Sequence, residues 1–148
     1  MGYYTDYNLT VYHKDEFLAG KRSPIMAEEN SNAFFALEKE IKKLNVFDAV
    51  FYDDGSCYCN SKWYDSSADM CVLSRRFPEY AFELSGFGEE AGDIWKEYFI
   101  DGQHQFCRAH IVYPPFDPAA MLPPASSRIL SDPDYRYSYQ MEEVENDE

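Results

Sequence analysis

The chain has 148 residues, long enough for one domain with a substantial core and too short for two ordinary ones. Its 27 acidic residues against 13 basic ones give a formal net charge of −14, which disfavours direct binding to nucleic acid or anionic membrane and steers the molecule toward basic surfaces. Tyr 13, Phe 11 and Trp 2 supply enough apolar surface for a core, which excludes disorder of the whole chain.

No apolar run approaches the length of a membrane span. The start "MGYYTDYNLTVYHKDE" has neither the basic residues nor the apolar stretch of a signal peptide, so a soluble, cytoplasmic protein is expected. Charge is distributed unevenly: residues 1–45 carry 7 acids and 6 bases, residues 46–113 carry 12 and 5, and residues 114–148 carry 8 and 2. Acidity that serves solubility alone is the plainest explanation, and any functional reading has to be set against it.

In chain order, "YTDYNLTVY" alternates Tyr7, Leu9 and Val11 with Asp6, Asn8 and Thr10, the period of a half-buried strand. Residues 15–29, with Gly20 and Pro24, read as a loop. Phe34, Leu37, Ile41 and Leu44 recur at three and four residues, so "SNAFFALEKEIKKLN" is an amphipathic helix with a basic last turn. "VFDAVFY" reads as a strand, and "DDGS" as a turn into its hairpin partner "CYCNSKWY". Ser66 and Asp69 approximate a capping box for a second helix, with Met70, Leu73 and Phe77 on one face, until Pro78 stops it. "YAFELS", "DIWKEYFI" and "QFCRAHIVY" are three further strands, the last two joined at Asp101-Gly102.

The stretch Gly86-Phe87-Gly88-Glu89-Glu90-Ala91 formally matches a dinucleotide-binding G-x-G-x-x-A turn. Such a turn needs a helix immediately after its glycines, so that backbone N–H groups and the positive helix end meet the pyrophosphate. Here the chain continues as an alternating strand, and Glu89 and Glu90 would repel phosphate. The glycines are therefore expected to form a turn between two antiparallel strands.

This order of elements predicts an α+β fold: a ferredoxin-like sandwich with a mainly antiparallel sheet and two helices on one face. Residues 1–113 form the domain, and residues 114–148 a Pro-rich strap and an acidic, Tyr-rich tail. From Lys62 to Gln103 the chain resembles uncharacterised bacteriophage and plasmid proteins with a ferredoxin-like domain. The shared features are a Trp before a helix (Trp63), an S-x-x-F-P helix exit (Ser74, Phe77, Pro78), a G-E-E-x-G-D loop (Glu89, Glu90, Gly92, Asp93) and an aromatic strand ending in Asp-Gly (Trp95, Tyr98, Phe99, Gly102). The resemblance implies a mobile-element origin and that fold, and brings no catalytic residues.

Cys57, Cys59, Cys71 and Cys107 match zinc-ligand spacing poorly, since C-x-C with two scattered cysteines is no pair of knuckles; the alternative is that they act as small apolar core residues. His13, His104 and His110 lie in no metal or catalytic motif, and no serine lies in G-x-S-x-G. Glu89 with Asp93 could serve acid-base chemistry or hold a cation, although a solvated acidic loop accounts for them as well. No enzyme and no cofactor is expected. Six of the eight prolines lie between Pro114 and Pro133, which precludes continuous helix or sheet there. Tyr135, Tyr137 and Tyr139 then alternate before an acidic end, a pattern suited to an edge strand or to stacking on arginine.

The expected function is that of a small acidic phage-type inhibitor. It binds a basic, nucleic-acid-binding surface of a host protein or ribonucleoprotein complex in the manner of a DNA mimic or anti-CRISPR protein, and contacts no nucleic acid or membrane itself. The partner-binding residues are Asp48, Asp53, Asp54, Glu89, Glu90, Asp93, Tyr135, Tyr137 and Tyr139. The alternatives are a self-associating or housekeeping interaction module, for instance a homodimer, and a divergent metal-dependent enzyme.

Overall fold

The computed structural model describes residues 2–26, 32–44, 46, 51–127 and 130. The chain divides into two units, Met1–Val112 and Tyr113–Glu148.

The first unit is α+β. Its strands β1 (Thr5–His13), β2 (Ser56–Ser61), β3 (Tyr80–Gly88), β4 (Ile94–Ile100) and β5 (Gln103–Arg108) form one antiparallel sheet in the order β2-β1-β3-β4-β5. Among the described residues three helices accompany it: α1 (Lys14–Leu18), α2 (Asn32–Lys43) and α3 (Ser66–Arg76). β1 is an inner strand, flanked by β2 and β3, because its odd residues, from Tyr7 to Val11, are apolar and can be buried against neighbours on both sides.

The register writes the core as rows across the sheet. Val11, Phe82 and Phe99 are successive partners on β1, β3 and β4, and Cys57, Leu9 and Leu84 form the next row on β2, β1 and β3. Onto this face pack Phe34, Leu37 and Ile41 of α2, spaced as the helical period requires, and Met70 and Leu73 of α3. Each such buried side chain contributes on the order of 1.5–3 kcal/mol relative to exposure. A salt bridge from Arg76 to Glu40, 3.1 Å, joins the exposed sides of the two helices. On the opposite face Phe17 of α1 packs against Tyr12 and Tyr98, at one end of a surface, the helix-free face, that no other helix of the described residues covers.

Several expectations change. The loop over residues 15–29 begins with α1. β3 runs through Gly86 and Gly88, so these glycines do not make the turn; the connection is residues 89–93, with Gly92 at φ 86°. Both glycines are required by close approach. A Cβ at Gly86 would run into the indole of Trp95, and one at Gly88 into Asp93 and the Tyr3 hydroxyl. Asp69 closes no capping box: its carboxylate accepts the Trp63 indole N–H at 2.7 Å. β5 ends at Arg108, which leaves His110 beyond the strand. Most of the expected strand at residues 46–52 lies outside the described residues. The turn after it is present, with the Tyr52 N–H donating to the Ser56 carbonyl at 2.7 Å. The Asp101-Gly102 hairpin has both residues at positive φ, 47° and 82°, as a two-residue turn of this type demands.

In the second unit, Pro118–Ala120 form a single 3-10 turn, capped by the Asp117 carboxylate accepting from the Ala119 N–H at 3.0 Å.

Candidate partner-binding surface

The acidic connection between β3 and β4 is tied to the N-terminal segment. The Tyr3 hydroxyl donates to Asp93 Oδ2 at 2.7 Å and accepts the Glu90 N–H at 2.9 Å, while the Tyr4 N–H donates to Glu89 Oε1 at 2.8 Å. Arg108 reaches the other oxygen of Asp93 at 3.3 Å. Asp93 is thus ion-paired and half-buried, Glu89 is exposed but used by the backbone, and Glu90 is exposed with no cationic partner among the described residues.

Asp53 and Asp54 lie at the other end of the sheet. Thr5 pairs with Gly88, beside the acidic connection, whereas Thr10 pairs with Ser56, beside the 52–56 turn. Five residues of strand separate the two places, about 17 Å. Asp54 accepts from Ser56 Oγ at 2.6 Å and Ser56 N–H at 3.1 Å, and these bonds hold its carboxyl below the usual range. Asp54 is therefore a turn residue, and Asp53 beside it is exposed. Asp48, Tyr135, Tyr137 and Tyr139 lie outside the described residues.

The helix-free face carries a groove of about 550 Å³ that no sequence pattern indicated. Its floor is two rows of register partners. The first runs Asp6, Phe87, Ile94, and the second Tyr58, Asn8, Ser85, Lys96, Cys107. The first row is the last on this face before the 89–93 connection. Asp6 Oδ1 accepts from the Tyr58 hydroxyl at 2.7 Å and from Asn60 Nδ2 at 2.8 Å, and these two bonds, Tyr58 first, keep its carboxyl below the usual range. Phe87 and Tyr58 are 57% and 44% exposed.

A second polar cluster sits under α3. Glu97, 1% exposed, occupies an inward position between Trp95 and Phe99; Ser67 Oγ donates to its Oε1 at 2.7 Å, and His104 Nδ1 lies 2.6 Å from its Oε2. The His104 side chain is 51% exposed. A buried carboxylate bonded to one ring nitrogen fixes the imidazole and leaves the other nitrogen as its outward group. Cys71 is close enough for Glu97 to matter: burial, then the Glu97 charge, pushes its thiol up, the opposite of what a nucleophilic thiolate needs. The signal for this cluster was present in "DIWKEYFI", where Glu97 shares the parity of Trp95 and Phe99. Asp6 gave no such signal, because an acid on the polar side of an alternating strand is ordinary.

The cysteines do not converge. Cys57 and Cys59 are buried on the helix-covered face of β2, and burial pushes the Cys57 thiol up. Cys107 lies on the opposite sheet face, as the partner of Lys96. Among the described residues no group of three or more His, Cys, Asp or Glu side chains is placed to hold a metal ion, and no helix is long and apolar enough to cross a membrane. Comparisons with protein-family models, curated proteins and solved structures find no match.

Proposed function

We propose that this chain is a small acidic inhibitor that covers a basic, nucleic-acid-binding surface of a host defence or nucleic-acid-processing protein, acting in the host cytoplasm. The observation that carries the reading is uncompensated negative charge. Among the described residues, Glu40, Glu83 and Asp93 have cationic partners and Glu97 is bonded to His104, whereas the exposed Asp53, Asp65, Glu79, Glu89 and Glu90 have no cationic partner. Exposed carboxylates carried on the connections of a folded domain speed association with a basic partner and exclude anionic ones. The resemblance to phage and plasmid proteins supplies the biological setting, and the proposed role assigns the chain no catalysis.

We read the fold as ferredoxin-like. β2 and β3 both pair antiparallel with β1, hence run parallel to one another, and α3 links them across it in a split β-α-β unit. A second reading, self-association, is favoured by β5, an edge strand whose residues are mostly exposed.

Affinity capture from host lysate with the full chain, washed at rising salt, separates the two. Retention of one nucleic-acid-binding protein or complex, released steeply as salt rises, supports the inhibitor. Absence of a specific partner, with concentration-dependent oligomers instead, supports self-association and removes the first reading.

A further inference from the structure

We propose that the groove on the helix-free face receives an arginine side chain of the partner, with Asp6 as its carboxylate and Tyr58 and Phe87 as its flanking rings. This inference rests on the basic-partner reading and names the site through which such a partner would be recognised.

Charge and shape single out this groove. Both cations that line the groove already have carboxylate partners: Lys96 lies 3.6 Å from Glu83, and Arg108 lies 3.3 Å from Asp93. Asp6 is the reverse case, an anion with no cationic partner among the described residues. Both of its hydrogen bonds fall on Oδ1, which leaves Oδ2 as an acceptor held in place by a preorganised neighbour. Around it the lining is mainly apolar and aromatic, with Phe87 and Ile94 in the same row.

A lone carboxylate between exposed rings suits guanidinium better than ammonium, because guanidinium is planar, weakly hydrated, and able to stack and pair at once. The fold uses the same chemistry internally, where the Arg22 guanidinium lies 3.8 Å from the centre of the Phe17 ring.

The test is a ¹H–¹⁵N NMR titration of the full chain with acetylated, amidated Leu-Arg-Leu and with its citrulline counterpart, which has the same shape and no charge. The expected result is shifts at Asp6, Tyr58 and Phe87 with the arginine peptide, and binding about tenfold weaker for citrulline and for Asp6→Asn. Asn retains an acceptor for Tyr58 and Asn60. Should that variant misfold, Phe87→Ser, at an exposed ring, provides the second comparison and is expected to weaken binding too. Equal affinity for both peptides overturns the proposal, as do shifts confined to residues 89–93, no shift in the groove, or groove shifts that appear on concentration without peptide and mark a second copy. The two readings fail separately. Loss of the captured partner with peptide binding intact removes the inhibitor reading alone, whereas a partner bound equally by Asp6→Asn removes the groove alone.

Discussion

Trp95 lies across Gly86. The two are register partners on β4 and β3, and the indole occupies the space that any Cβ at position 86 would enter. The same ring meets Tyr7 edge-on at a centroid distance of 6.0 Å and Phe106 at 5.4 Å, so one glycine permits an aromatic cluster to close the edge of the core.

Gly86→Ala is accordingly expected to destabilise by about 1–3 kcal/mol through overpacking. Trp95→Ala should lose about 2–4 kcal/mol, below the cost at a fully buried site because Trp95 is half-buried. In the Trp95→Ala background the glycine substitution should become nearly neutral. Urea unfolding of the four proteins in this cycle measures the coupling, and additive losses would contradict the contact.

His104→Ala is expected to destabilise by about 1–3 kcal/mol, because it strips a partner from a carboxylate that stays buried. Replacing both groups, as Glu97→Leu with His104→Leu, should recover much of that loss, since no charge is then left in the core. Equal destabilisation by the single and double substitutions in thermal unfolding would show that the pair is not the relevant unit.

Stability is expected to decline in alkali before tyrosine ionises. Burial raises the Cys57 thiol above the ordinary value of about 8.5, so the unfolded chain releases this proton first and binds fewer protons than the folded chain. The contribution is therefore full below about pH 8.5 and falls as pH rises above it. Cys71, raised by burial and by Glu97, acts in the same direction. Urea midpoints at pH 8.0 and 9.5 should differ, and Cys57→Ala should reduce the difference. An unchanged slope in the variant would assign the effect elsewhere.

Glu89→Lys with Glu90→Lys should leave the domain folded, since both side chains are exposed and Glu89 forfeits one bond to the Tyr4 N–H, worth about 1 kcal/mol. Binding to the basic partner should weaken about tenfold or more at low salt. Full binding with an intact fold would remove this connection from the interface.

The helices and strands with clean periodicity were legible in the sequence. Phe34, Leu37 and Ile41 announced α2, and Tyr7, Leu9 and Val11 announced β1, because burial on one face imposes the period directly. The role of Gly86 and Gly88 was not legible, since glycine signals a turn and a close approach equally well, and only the neighbouring strand β4 and the N-terminal segment show that an indole and a tyrosine hydroxyl fill the space. Acids scattered along the sequence gave their total charge but not their grouping. Register places Glu89, Glu90 and Asp6 at one end of the sheet and Asp53 and Asp54 at the other. Asp6 itself was hidden because its interest lies in having no cationic partner among the described residues, in a groove whose cations are paired, a relation among strands.

The proposed inhibitor and nucleic acid compete for one basic surface. The most direct measurement is displacement: labelled nucleic acid is bound to the captured partner, and the purified chain is added at increasing concentration. The account predicts full, stoichiometric release that weakens as salt rises and is reduced by Glu89→Lys with Glu90→Lys. A ternary complex of partner, nucleic acid and chain would contradict it.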